Sequence, residues 1–156
     1  MSNKRVQHHQ FFAKQVAELT GIDDPIRVKL YSDVEAYGIH PLHVGVGRGS
    51  RKIYSFDDVL RIAVAERLSR FGFSAPAIGA ALGKIRTSEL DPEHGRCFLV
   101  QARSPGSAAF DWRVLPLDEA QKWRREKPAE ATFALDLTAT VAPVWQRATQ
   151  AAGQNK

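Results

Sequence analysis

Apolar residues recur at helical spacing from Phe12 through Val16, Ala17 and Leu19 and stop at Gly21, which predicts a short first helix closed by a glycine. Asp23, Asp24 and Pro25 then supply an acidic cap and a first-turn proline, and Ile26, Leu30, Val34 and Tyr37 follow at intervals of four, four and three before Gly38. This predicts a second helix over residues 25–37 with those four side chains facing the core. Arg27, Lys29, Tyr31, Ser32 and Asp33 fall on its other face, a mixed set of hydrogen-bond donors and acceptors. The pattern changes over residues 40–55, where His43, Val44 and Val46 on one side and Lys52, Ile53 and Tyr54 on the other flank Gly47, Arg48, Gly49 and Ser50. Such β-formers around a glycine turn predict a hairpin. Ser55 and Asp58 have the spacing of a capping box, and Phe56, Val59, Leu60, Ile62, Ala63, Leu68 and Phe71 form the apolar stripe of a third helix ending before Gly72. Ser74 and Pro76 open a fourth, which runs through Leu82 to residue 85.

Residues 88–95 are rich in Asp, Glu, Pro and Gly and form the expected boundary between two units. Beyond it the pattern favours strands over residues 96–103, 110–115 and 132–141, with helices over 117–127 and, begun by Pro143, over 143–152. Residues 1–11, with Lys4, Arg5, His8 and His9, have no apolar period and are expected to form a flexible arm. The fold class expected is α+β. A mostly helical unit with one hairpin spans residues 12–87, and a small α/β unit spans residues 96–152.

The chain of 156 residues is 44% hydrophobic and 25% charged, with three Trp and eight Phe, a composition that folds. No apolar run approaches the roughly 20 residues needed to cross a bilayer, and the N-terminus is too polar for a signal peptide, so a cytoplasmic location with no membrane partner is expected. The one cysteine, Cys97, lies beside Phe98, Leu99 and Val100, where a buried apolar role is expected; it excludes an intramolecular disulfide and a Cys-based zinc finger. The net charge of +5 suits a polyanionic partner. Up to Tyr54 bases outnumber acids eight to five, whereas beyond Glu89 the ratio is nine to eight, which points to a site in the first half. His40, His43, Asp57, Asp58 and Glu66 can be assembled on paper into an acid–base or metal site. No nucleophile motif, phosphate loop or ligand spacing joins them, and the paired His8 and His9 have no ligand partners nearby. A non-enzymatic role with no cofactor and no metal is therefore expected.

Helix, turn, helix, basic hairpin, helix and short helix is the order of a winged helix-turn-helix. The run from Arg51 through Tyr54, Ser55, Asp57, Asp58 and Leu60 to Ile62, followed by Leu68, Gly72, Phe73, Ser74, Ile78 and Leu82, resembles the wing-to-helix signature of the MerR family. In that family an Arg and a Tyr close the wing, an acidic residue precedes a Leu-rich helix, and a Gly-Phe-Ser turn starts the next. Val16, Ala17, Glu18, Leu19, Thr20, Gly21 and Ile22 are similar to its first helix and turn, so the resemblance covers residues 12–85. Two departures stand out: Gly21 and Gly38 lie seventeen positions apart, about one helical turn more than the family's recognition segment, and no sustained heptad pattern follows Leu82.

The resemblance implies sequence-specific binding of double-stranded DNA by a bacterial transcription regulator associated with the nucleoid. Arg27, Lys29, Tyr31 and Ser32 would face the major groove, with Lys14 beside them, while Arg48, Arg51 and Lys52 would grip the backbone and Tyr54 would close the wing. Tyr31 has the alternative of a core position, Arg51 that of packing on Tyr54, and the wing cations that of solvated side chains. Other functional readings are a phage-like role in DNA packaging or excision, or a winged domain used to bind protein. The second unit carries Phe98, Val100, Phe110, Trp112, Val114, Trp123, Phe133, Leu135, Leu137 and Trp145, many large apolar groups for its size. A homodimer joined through its sheet edge, or a docked partner, is expected there, against the alternative of one monomeric core.

Overall fold

A computed structural model describes residues 6–44, 51–103, 110–126 and 131–154 as a mixed α+β fold with two small sheets. Helix α1 (Ala13–Thr20) ends on Gly21, whose φ of +75° turns the chain back towards the core at Ile22. Asp24 caps α2 (Pro25–Asp33) by accepting a hydrogen bond from the Ile26 amide at 2.9 Å. The single helix expected over residues 25–37 is broken at Val34, which is extended, and a 3₁₀ turn (Glu35–Tyr37) follows. The break lays that turn against Gly79, where a Cβ would stand 1.8 Å from the Ala36 carbonyl oxygen.

Arg27, Lys29 and Asp33 of α2 are exposed as expected, but its apolar positions are corrected. Val28 and Tyr31 are buried, whereas Ile26 and Leu30 are the most exposed of its apolar residues, at 72% and 51%. Tyr31 goes inward because its ring fills the core while its hydroxyl meets a carboxylate, that of Glu66.

Strands β1 (Leu42–Val44) and β2 (Arg51–Ile53) pair antiparallel as the expected hairpin, with His43 opposite Lys52. Tyr54 continues the pairing to Phe11: the Phe11 amide donates to the Tyr54 carbonyl at 2.9 Å and the Tyr54 amide to the Phe11 carbonyl at 2.8 Å. The flexible arm expected over residues 1–11 is corrected for residues 6–11, since Phe11 is bonded to the hairpin and Val6 is 2% exposed. Helix α3 (Phe56–Arg70) begins with the expected capping box, in which Ser55 Oγ accepts from the Asp58 amide and Asp58 accepts from the Ser55 amide. Ser74 caps α4 (Ala75–Leu82). Arg61 ties the two helices by donating to Asp57 at 2.7 Å and to the carbonyls of Leu82 and Ile85 at 2.8 and 2.9 Å.

Strands β3 (Cys97–Arg103) and β4 (Phe110–Pro116), helix α5 (Leu117–Glu126), strand β5 (Ala131–Asp136) and helix α6 (Leu137–Gln154) complete the described chain. The antiparallel sheet has the order β4-β3-β5. The strand expected over 132–141 ends early because Asp136 accepts from the Ala139 amide at 2.9 Å and caps α6, leaving Pro143 inside the helix it was expected to begin. One face of the sheet packs on the helical half: Phe73 stacks edge-on against Trp112 and Phe133, and Phe71 against Phe133. Helix α6 returns to α3, where Trp145 meets Phe56 with ring centroids 4.6 Å apart. One hydrophobic core thus extends from Val6 and Val16 through Phe56 and Leu68 to Leu99, Trp112 and Trp145. Residues 88–95 mark a change of element type, not a gap between cores, and Trp112, Leu135, Leu137 and Trp145 of the second unit lie in that one core. Cys97 is buried, and burial raises its thiol pKa. Among the described residues no helix is long and apolar enough to cross a membrane.

Candidate nucleic-acid interface

Two polar networks fix α2 in place. On one side Lys52 of β2 pairs with Asp33 and donates to Ser32 Oγ at 3.1 Å, and Ser32 Oγ lies 2.9 Å from the buried Tyr54 hydroxyl. On the other, the Tyr31 hydroxyl and Arg27 Nε both donate to Glu66 Oε2, the latter at 2.9 Å, while Arg70 Nε donates to Oε1 at 3.2 Å. Burial alone would raise the Glu66 pKa, but the hydrogen bonds from Tyr31 and Arg70 and the charge of Arg27 hold it below the ordinary carboxylate range. Tyr31 is shifted up, by burial and by its bond to Glu66, and Tyr54 is shifted up by burial.

Between the first turns of α1 and α2 and the hairpin lies an open groove of ≈ 530 Å³. Phe12, Ala13 and Pro25 give it apolar walls, and Lys14, Lys29, Arg51 and Lys52 bring four cations to it, with Gln15 and His43 beside them. No carboxylate is among the described residues that line it. The Arg51 guanidinium stands over the Phe12 ring at 5.8 Å from its centroid, which orders both side chains on the groove wall. Like charges on a concave, partly apolar surface focus a positive potential into it. Two further grooves also carry cations. That between α3 and α6 mixes Arg67, Arg70 and Arg147 with Glu66 and Asp136. That under α5 is lined by two, Arg96 and Arg124, against four in the hairpin groove, with Arg96 paired to Asp136 as Lys52 is to Asp33.

Four of the nine residues expected to contact DNA therefore meet in one place: Lys14, Lys29, Arg51 and Lys52. Arg27 lies on the opposite flank of α2, half exposed and paired with Glu66. Tyr31 and Tyr54 are corrected to core positions, at 1% and 0% exposure, and Ser32 joins α2 to the hairpin. Arg48 lies outside the described residues. Phe12 was assigned to the core by its spacing, yet it is 44% exposed on the groove wall. Its helical spacing carried no sign of this, and neither His43 nor Gln15 had a mark in the sequence. The residues considered for an acid–base site have separate partners: Asp57 holds Arg61, Asp58 caps α3, Glu66 holds α2, and His40 Nε2 is 4.0 Å from Glu35. Among the described residues no group of three or more His, Cys, Asp or Glu is placed to hold a metal. Neither a family model nor a curated protein matches this chain.

Proposed function

We propose that the chain binds double-stranded DNA as a winged helix-turn-helix protein, with α2 in the major groove and the β1–β2 hairpin on the neighbouring backbone, and that it controls transcription through that contact. The observation that carries the reading is the acid-free groove in which Lys14, Lys29, Arg51 and Lys52 converge from three elements. Cations from separate elements at one groove suit a ligand with regularly spaced phosphates, and phosphate contacts set the register of a protein on a duplex. The two networks through Glu66 and through Ser32 support the same reading, because they hold α2 and the hairpin in a fixed relation, as a rigid ligand such as a duplex demands.

The test is the salt dependence of binding to duplexes of about one helical turn or longer, followed by fluorescence anisotropy. Lys14, Lys29 and Arg51 are exposed, so their joint replacement by Ala leaves the fold intact. Affinity should fall for every sequence, and the slope of log K against log salt should flatten by about 0.9 for each phosphate that is no longer neutralised. An unchanged affinity and slope in the triple variant, with a native circular dichroism spectrum, would remove this surface as the DNA site.

A further inference from the structure

The outward line of α2 is apolar. Ile26 and Leu30, one helical turn apart, are 72% and 51% exposed, while Val28 and Tyr31 on the inward side are buried. Cations flank that line on both sides: Lys29 faces the hairpin groove, and Arg27 reaches across to Glu66. Asp33 lies further along, its charge matched by Lys52. Single exposed apolar side chains are ordinary on any protein. Asp23 and Asp24 are exposed before the first turn, where Asp24 is held as the helix cap. Along the line itself Ile26 and Leu30 therefore lie between Lys29 on one flank and Arg27 on the other, a pattern that asks for an apolar partner between anionic walls.

We infer that Ile26 and Leu30 read the 5-methyl groups of pyrimidines in the major groove, so that the protein prefers sites rich in thymine. The inference rests on the DNA-binding reading above. The major groove fits the pattern: phosphates line both of its edges, and the methyl of thymine is the only apolar group that a base pair of unmodified DNA presents on its floor. Arg27 and Lys29 stand where the two backbones would pass, and Ile26 and Leu30 where the floor would lie. Covering one methyl is worth about 0.8 kcal/mol, or about fourfold in affinity.

The experiment uses the full chain and three 24-bp probes of about two helical turns: an alternating dA·dT duplex, the same duplex with every dT replaced by dU, and a dG·dC duplex with and without 5-methyl-dC. Replacing dT by dU removes the methyl and leaves every hydrogen-bonding group in place. The dT probe should bind at least fourfold tighter than the dU probe, and 5-methylation of dC should strengthen binding in the same direction. In the Ile26→Ala/Leu30→Ala variant, whose substitutions lie on the surface, the dT to dU ratio should fall to about one while affinity for the dU probe is kept. Equal binding of dT and dU probes by the native chain overturns the inference and leaves the DNA-binding reading standing. Absence of salt-dependent binding to every duplex overturns both. A ratio unchanged in the double variant, accompanied by a lower mass in light scattering, assigns the pair to a protein interface and also overturns it.

Discussion

Glu66 shows how one residue decides the orientation of an element. It is buried in the middle of α3, and it accepts hydrogen bonds from Tyr31 and Arg27 of α2 and from Arg70 of its own helix. From the sequence, the stripe of Ile26, Leu30, Val34 and Tyr37 looked like the inner face of α2 because its spacing is helical and longer than that of Val28 and Tyr31. The deciding partner stands 35 positions beyond Tyr31, which no local period can register. Replacing Glu66 by Gln should cost about 1.5–3 kcal/mol at neutral pH, since charged hydrogen bonds to a buried acceptor are lost. The folded-state pKa of Glu66 lies below its unfolded value, near 4.3 for a free glutamate. Its contribution is therefore fully present above about pH 4.3 and is lost as pH falls through the lower, folded value. The stability gap between the native chain and Glu66→Gln, read from urea midpoints at pH 7, 4 and 3, should close on acidification. A gap that stays constant would mean that the carboxylate charge does not hold α2.

At the scale of elements, the starts of helices were legible because capping is local chemistry. Asp24 with Pro25, Ser55 with Asp58, and Ser74 with Pro76 each mark a helix that begins where the sequence placed it. Ends and joins were less so. Thr132, Phe133, Thr138, Thr140 and Val141 place β-formers across residues 132–141, and the turn to α6 depends on Asp136 Oδ1 catching the Ala139 amide, a bond that competes with continued pairing to β3. The break of α2 at Val34 likewise depends on a distant contact, that of the Glu35–Tyr37 turn with Gly79 of α4. By helix propensity alone, Gly79→Ala in α4 should stabilise by about 1 kcal/mol. The contact predicts the opposite. A methyl placed 1.8 Å from the Ala36 carbonyl oxygen must push the turn away, and overpacking of this kind costs about 1–3 kcal/mol. Thermal unfolding of Gly79→Ala beside Gly83→Ala, whose added methyl meets only ordinary contacts, separates the two effects. A Gly79→Ala variant as stable as the native chain would mean that the turn does not press on α4.

For the whole molecule, the sequence marks where the element pattern changes, at residues 88–95, but not that the two sides share a core. The contacts that join them are too far apart along the chain to leave a periodic trace. Trp145 Nε1 donates to the Leu90 carbonyl at 2.8 Å across 55 positions, and Arg147 to the Leu19 carbonyl at 2.9 Å across 128. The Phe56 ring, at the start of the helix that follows the hairpin, rests on Trp145. A chain ending at Glu89 would lose all of these, taking Trp145 from Phe56 and leaving Phe71 and Phe73 without their aromatic partners. A core spread over the full length predicts one cooperative unfolding transition, with tryptophan fluorescence and far-ultraviolet circular dichroism moving together. Trp145→Ala should lower stability by about 3–5 kcal/mol and shift both signals equally. The truncated chain should lack a cooperative transition, so that loss of DNA binding in it would follow from loss of the groove and not from loss of a second subunit. Two resolved transitions in the full chain, or a truncated form that unfolds cooperatively near the native midpoint, would instead establish residues 6–89 as an independent unit and return the C-terminal sheet to a role in assembly.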